Sequence, residues 1–495
     1  LNGFYKQIYG DSLINLIPES AKFIKEVPFE RRKKLGDYYN VPVVLQAEQG
    51  FTYNDGDGTA FALNGALAMG TKNAQVRGAE KVLQSQISYK AAAAATSNKE
   101  AFADATSTLF ENMVESMSNR LELSSFYGGS SLGTGSGSGA SGSSLGAATF
   151  ARSTTTVTVT TANNHGLTTG DTVSFTDDSG NSVALSTGVV TVTGVKTFTA
   201  TASASGTVAA LSACTIGPFV KRSSTTAWYY VNRTEWSTGL WAGKVGAELQ
   251  FYKDDNSTLI NTVNMTISSI DPVYKRIGLT ASTSQGVTDV MAVVEADFDG
   301  GIYVYFNGSK GKDFLGIDKI ITTSGSLFGI TNTTYTLFKG NEYTASGALS
   351  LSTIISATEN AVAQGLMEDV CAYVPISAWN TLAAAQSGLR MYDQSYKNNV
   401  AENGFQKLSF YGANGKIEIE PHPIVKAGEV FIIPKKQFIR VGATDVTFQT
   451  PGMDSTEIFL QLPSNAGYEV RAYADQALLC MAPAKCTKVT GFTVT

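Results

Sequence analysis

The sequence is poor in the residue types that usually carry chemistry. Its 495 residues include only two histidines, His165 and His422, and four cysteines, Cys214, Cys371, Cys480 and Cys486. Neither histidine has a second histidine or a carboxylate cluster at ligand spacing, so a zinc site has no basis. His165 falls in the turn-like "NNHGLTTG" and His422 stands between Pro421 and Pro423, positions that suit surface or packing roles. A Ser-His-Asp mechanism would need one of them, and no G-x-S-x-G elbow accompanies either. No G-x-x-x-x-G-K-S/T phosphate loop is present. The cysteines form no C-x-x-C pair and read as buried apolar thiols of a reducing compartment. A disulfide between Cys480 and Cys486 is the less favoured alternative. The residues therefore nominate no catalytic, cofactor-binding or metal-binding side chain, no cofactor and no enzyme.

Charge is scarce as well. Charged residues make up 16% of the chain, against roughly 25% in ordinary soluble proteins. The balance of 37 basic and 42 acidic residues leaves a net charge of −5 with no long tail of one sign. A dedicated nucleic-acid reader would carry a strongly basic face, so that class is excluded. Protein interfaces are depleted in Lys, Glu and Asp, and a charge-poor surface on a long chain predicts extensive cover by neighbouring subunits. No run of 18 apolar residues occurs, so no helix is expected to span a membrane.

Three local patterns imitate functional motifs. "GSGASG", Gly137 to Gly142, matches the G-x-G-x-x-G dinucleotide pattern, but that pattern works only between a buried strand and a helix start. Here it lies within a Gly/Ser run from Gly128 to Gly146, whose composition predicts a flexible connector. "DGDGTAFALNGA" from Asp55 opens like a calcium loop, yet has Ala60 and Ala66 where that loop needs Gly and a bidentate Glu. The cluster Arg31-Arg32-Lys33-Lys34 is interleaved with Glu26, Glu30 and Asp37, the pattern of a solvated or inter-subunit surface. Asp254-Asp255 marks a turn.

What is present is an alternation of helix and strand signals. Leu1 to about Asn40, interrupted by Pro18 and Pro28, suggests an extended arm with short helical pieces. Two strand-like runs then flank Asn54-Asp55-Gly56-Asp57-Gly58, predicting a long hairpin. Ser97 with Glu100 forms a capping-box signature. From there Phe102, Leu109, Met113, Met117 and Leu121, widened by Phe110 and Val114, mark a helix. About Ala151 to Ala210 is rich in Thr and Val in short alternating runs around Asp177-Asp178-Ser179-Gly180, predicting a small antiparallel sandwich or barrel. Strands continue from Pro218 to Gly301. Helices follow over Leu351–Leu366 and from Pro375, around the buried strand "DVCAYV". Asn414-Gly415 is a hairpin turn before Lys416–Glu420, and two further strands lie in "EIFLQLPSNAGYEVRAYADQALLC". The fold class is α+β with an inserted all-β domain.

Several long phrases resemble a known family. "GDSLINLIPESAKFIKEVPFERRKKLGDYYNVPVVLQAEQGFTY", "KDFLGIDKIITTSGSLFGI", "QSGLRMYDQSYKNNVAENGFQKLSFYGANGKIEIEPHPIVKAGEVFIIP" and "IRVGATDVTFQTPGMDSTEIFLQLPSNAGYEVRAYADQALL" are similar to major capsid proteins of tailed double-stranded DNA bacteriophages. The resemblance covers most of the chain outside about Gly128 to Cys214. It implies a Hong Kong 97-type fold. In that frame residues 1–40 are the N-terminal arm, 41–90 the extended loop, 91–127 the spine helix of the peripheral domain and 128–146 the connector. Residues 147–215 are then the inserted β domain, 216–340 a β-rich peripheral and axial region, 341–465 the axial domain and return, and 466–495 peripheral strands. The implied function is self-assembly, as hexamers and pentamers, into an icosahedral head shell around double-stranded DNA held without sequence readout. The implied partners are portal, scaffolding and decoration proteins, with no membrane, and the location is the virion capsid. The start at Leu1 rather than Met is compatible with removal of an N-terminal scaffolding segment. Tail-tube or decoration proteins, encapsulin-like shells and a carbohydrate-active enzyme are the alternatives. The first lacks this helix, the second this insertion, and the third requires a carboxylate pair that is missing here.

Overall fold

The computed structural model describes residues 21–32, 37–56, 58, 60–88, 99–140, 142–153, 156–177, 185–202, 214–293, 297, 300–387, 408–413, 415–449, 458–461 and 466–493. Ser97 of the capping box, Lys33, Lys34, Asp57, Asn414 and the turn at Asp178 to Gly180 lie outside them. The architecture is mixed α+β, with two multi-stranded sheets beside a larger third.

One helix organises the centre. Lys99–Tyr127 runs for 29 residues, and Met113, Met117 and Leu121 of its apolar stripe are buried, while Val114 is exposed. Beyond Glu122 every side is covered, so the stripe widens into a fully enclosed last turn. The helix stops at a glycine pair. The Gly128 amide still bonds to Ser124 O at 2.7 Å, and Gly129 takes the left-handed conformation at φ +76°, a common way of ending a helix. A Cβ on Gly128 would lie 2.2 Å from Phe314 O, so only glycine fits there.

The first sheet packs on this helix. Phe29–Arg31 lies parallel to Phe438–Thr447, which pairs antiparallel with the 14-residue strand Gly467–Cys480. That strand also carries Ala79–Ser88 and Phe459–Gln461. Residues from both ends of the chain thus share one sheet. Tyr38–Gln46 and Gly70–Arg77 form the stem of the predicted hairpin, with Tyr39, Ala74 and Val76 buried.

A mixed six-stranded sheet has its own core. Its order is Asn341–Thr344, Thr487–Thr490, Val430–Ile433, Val370–Val374, Gly415–Pro421 and Leu408–Gly412. Helices Leu351–Ala363 and Ile376–Ser387 pack against it around Ile354, Ala361, Leu366, Leu382 and Ile417. These match the helix and strand signals read over this region.

The Thr/Val-rich region joins a larger body. Twelve strands between Thr134 and Phe306 make one antiparallel sheet. Cys214–Lys221 pairs with Thr172–Asp177 on one side and Thr226–Tyr230 on the other, so the ladder runs without a break past position 215. Side-chain packing nonetheless separates two cores. Val157, Val159, Phe175, Val190 and Phe198 cluster with Ile216, Val220 and Tyr230, whereas Phe219, Tyr229 and Phe251 belong to the central core with the long helix.

The Gly/Ser run departs from the flexible connector expected from its composition. Residues 130–138 and 143–145 are buried. Ser138 bonds Ile216 twice, through backbone and hydroxyl, each at 2.8 Å, and the Asn232 side chain reaches Thr134 and Ser136. Small residues are used here because the backbone threads between packed elements. A Cβ on Gly135 would sit 2.6 Å from Tyr230 O.

Candidate functional site

The two histidines lie in different parts of the fold, and neither faces a reactive group. His165 is buried. Its Nδ1 accepts from the Leu167 amide at 2.9 Å, its Nε2 lies 2.9 Å from Gly194 O, and burial lowers its pKa. His422 belongs to a buried polar node. Glu122, on the long helix, accepts the amides of Phe23 and Ile24 through Oε1 and Oε2, each at 2.8 Å. His422 Nε2 is 2.9 Å from Glu122 Oε1, and neither side chain is exposed at all. Since the Ile424 amide points at His422 Nδ1, the ring proton sits on Nε2 and is donated to the carboxylate. Phe126 lies against the imidazole at 4.6 Å and Tyr373 meets it edge-on. The node therefore joins the arm, the long helix and the loop after Gly415–Pro421. Nothing in the sequence placed Glu122 beside His422, 300 residues away.

A second polar cluster lies where the three large parts of the fold meet. Lys426 Nζ contacts Ser131 O at 3.0 Å and Glu235 at 3.1 Å. Lys488 pairs with Asp318 and, at 3.0 Å, with Glu429. Tyr127 donates to Glu429 at 2.9 Å and accepts the Lys426 amide. Burial alone would neutralise Lys426, yet its pKa is raised because Glu235, Glu429 and Asp318 outweigh that effect. Asp318 is held low against burial by Lys488 and Lys426. Ser131, Glu235, Asp318, Lys426 and Glu429 line a cavity of about 710 Å³ with Asn256, Tyr303 and Tyr305. The charged groups satisfy one another, and the Ser130 hydroxyl donates to Asp318 within the same cluster.

The motif look-alikes resolve as structure. No helix starts at Gly142, and Gly139 and Gly142 have positive φ in the turn between the two buried stretches. Gly56 and Gly58 also have positive φ, as a turn requires. Asp255 Oδ1 caps the Ser257 and Thr258 amides at 2.7 and 2.8 Å. Arg31 bonds Ala443 O and Arg32 pairs with Glu30. Among the described residues no group of three His, Cys, Asp or Glu side chains is placed to hold a metal, and no helix is long and apolar enough to cross a membrane.

The unusual surface is the hairpin end. Val44, Phe51, Tyr53, Phe61, Leu63, Leu67 and Met69 are all more than half exposed, Tyr53 at 88%. The loop is nonetheless internally braced. The Asn64 amide donates to Thr52 Oγ1 at 2.8 Å, its side chain donates to Phe51 O at 2.9 Å, and Gln49 bonds Leu67 O. Seven large apolar side chains on one braced projection are the signature of a protein contact surface.

No family model and no curated protein sequence matches the chain. Solved structures that match the chain include the capsid asymmetric unit of cyanophage A-1(L), at 8% identity and TM-score 0.44, covering 98% of this chain and 96% of that one. The capsid of a native GTA particle is matched at 5% identity and TM-score 0.43, over 99% and 95% of the two chains. A Mycobacterium phage Bobi structure is matched at 8% identity and TM-score 0.38, over 99% and 96%.

Proposed function

We propose that this chain is the major shell protein of a tailed-phage head, built on a Hong Kong 97-type fold and closing by self-association around double-stranded DNA. The observation that carries the reading is the braced apolar hairpin over Val44 to Met69, attached to a body whose arm, helix and terminal strands are locked together. A surface of this kind stabilises a heterologous contact in which one copy's projection covers the next copy's body, and repetition of such a contact closes rings and shells. The long phrases that resemble capsid proteins support it, as does the low charge content.

In this reading the long helix and the first sheet form the peripheral part, and the six-stranded sheet with its two helices forms the axial part. The Thr/Val cluster around Val159 and Phe198 is the inserted unit, projecting away from the shell floor. Portal, scaffolding and decoration proteins complete the particle. DNA is enclosed without base readout, consistent with the acidic balance of the chain. The test is electron microscopy of the purified protein, with and without scaffold, beside a sizing column. Closed shells, or rings of five and six, are the expected result. A stable monomer under all conditions would overturn the proposal.

A further inference from the structure

Two thiols of this chain stand in contact. Cys480 ends the strand Gly467–Cys480, and Cys486 immediately precedes Thr487–Thr490. Their sulfurs are 3.8 Å apart, and both residues are completely buried. The short turn between them is where the backbone passes from the first sheet to the six-stranded sheet. The turn is held by the Met481 amide on Gln437 O at 2.9 Å, the Cys486 amide on Pro483 O at 2.9 Å, and the Lys485–Glu368 ion pair. Cys371 lies elsewhere in the six-stranded sheet, paired in register with Ile433 and Glu418.

We propose that Cys480 and Cys486 are a redox pair, present here as dithiol and convertible to an intramolecular disulfide that locks the C-terminal strand to the long strand of the first sheet. A disulfide S–S bond is about 2.05 Å long, so the sulfurs must close by roughly 1.8 Å. The oxidant is a small-molecule disulfide such as oxidised glutathione. One cysteine loses its proton and attacks the oxidant, forming a mixed disulfide and releasing one reduced thiol. The second cysteine then loses its proton and attacks the mixed disulfide, releasing the other thiol. The pair is oxidised by two electrons, the oxidant is reduced by two, and both protons end on the released thiols.

Burial makes this reaction slow rather than forbidden. The Cys486 thiol is pushed well above its usual pKa by burial and by the neighbouring Cys480, so little thiolate exists until the turn opens. The pair is therefore suited to stay reduced in a thiol-rich cytosol and to oxidise gradually outside it. Only this timing rests on the shell reading. The thiol chemistry itself does not, and electron microscopy and mass measurement report the two separately.

The experiment treats the purified full-length protein with oxidised glutathione, alkylates the remaining thiols, and measures intact mass and peptide maps. The expected product lacks two hydrogens, has two fewer alkylation sites, and yields one peptide cross-linked between Cys480 and Cys486, with Cys371 still alkylated. Hydrogen exchange over Thr487–Thr490 slows on oxidation in the parent and is unchanged in Cys486→Ser. Cys480→Ala serves as a second variant should that serine fold poorly. The proposal is overturned if glutathione stays attached to one cysteine without ring closure. It also fails if both thiols remain alkylatable after oxidation in urea concentrations that open the turn.

Discussion

Replacing Glu122 with Gln tests whether the buried node holds the arm. Glu122 accepts two backbone amides and the His422 imidazole with a carboxylate that no solvent reaches. A glutamine fits the same space but offers one acceptor oxygen and an NH2 group. One of the Phe23 or Ile24 amides, or His422 Nε2–H, then faces a donor. Hydrogen bonds to charged groups contribute about 1.5–3 kcal/mol each, and a stranded buried N–H costs about 1–3 kcal/mol. Relief from burying a charge works in the opposite direction. The net cost is therefore about 2–4 kcal/mol, concentrated where the short helix Phe23–Glu26 docks. Amide hydrogen exchange by mass spectrometry reads this directly. The Phe23–Val27 segment should lose about thirtyfold to a thousandfold in protection, at 1.4 kcal/mol per decade, while Val430–Ile433 stays protected. Equal protection in parent and Glu122→Gln, with the mutation verified, would refute the assignment of the node as the arm's anchor. Loss of protection throughout would instead make it a determinant of the whole fold.

The remaining expectations are brief. Phe51→Ser with Leu63→Ser should leave the melting temperature of the free chain within error, because both side chains are exposed. Association should weaken, since burying each contributes about 1.5–3 kcal/mol; light scattering against concentration decides, and unchanged assembly would remove the hairpin from the contact. Gly128→Ala should destabilise by about 2 kcal/mol or more in urea, because its Cβ would meet Phe314 O at 2.2 Å. Lys244 is pulled down to about 8 by burial and the Arg120 guanidinium. The unfolded chain then binds the extra proton above that pH, so stability should rise as pH climbs from about 8 toward the ordinary lysine value of 10.5. Lys244→Met should stabilise by about 1–3 kcal/mol at neutral pH, and the advantage should shrink in alkaline denaturant melts.

The elements most legible in the sequence are those whose pattern is local. The Met113, Met117, Leu121 spacing marks the long helix, and alternation marks Lys416–Glu420 and Thr156–Thr161, because period alone decides which face is covered. The Gly/Ser run misleads for a physical reason. Composition reports what a segment costs to order, and not what surrounds it; Ser138 and Asn232 become ordered through partners 78 and 96 residues away. The continuity of the ladder past Cys214 is likewise non-local. The pairing of Glu122 with His422 and of Lys426 with Glu235 joins single residues across the chain with no motif at either end. A lone Glu in the apolar stripe "NRLELSSF" is the one available hint.

The distribution of polar and apolar groups then has a single rationale. The chain gathers two lysines and three carboxylates where its parts meet, Lys426 buried and the others half-buried, and exposes seven large apolar residues on its hairpin. For an isolated domain both choices are unfavourable. Buried ion pairs rarely add net stability over well-packed apolar residues, and an exposed apolar patch invites association. Ion pairs at a junction do, however, penalise misaligned arrangements steeply, since moving one part by a few ångströms strands a charge. They fix the angle between parts while apolar packing supplies the adhesion. A protein that must repeat one geometry in every copy needs its internal angles fixed and its adhesive surface turned outward, so the inversion follows from assembly. Lys426→Met tests this division. Removing this one partner leaves the Glu235 carboxylate without its cation, so free-chain stability should fall by about 3–5 kcal/mol while the fold is kept. Assembled particles, viewed by electron microscopy, should lose uniformity of size. Uniform particles from a folded Lys426→Met protein would show that the junction cluster does not set the geometry.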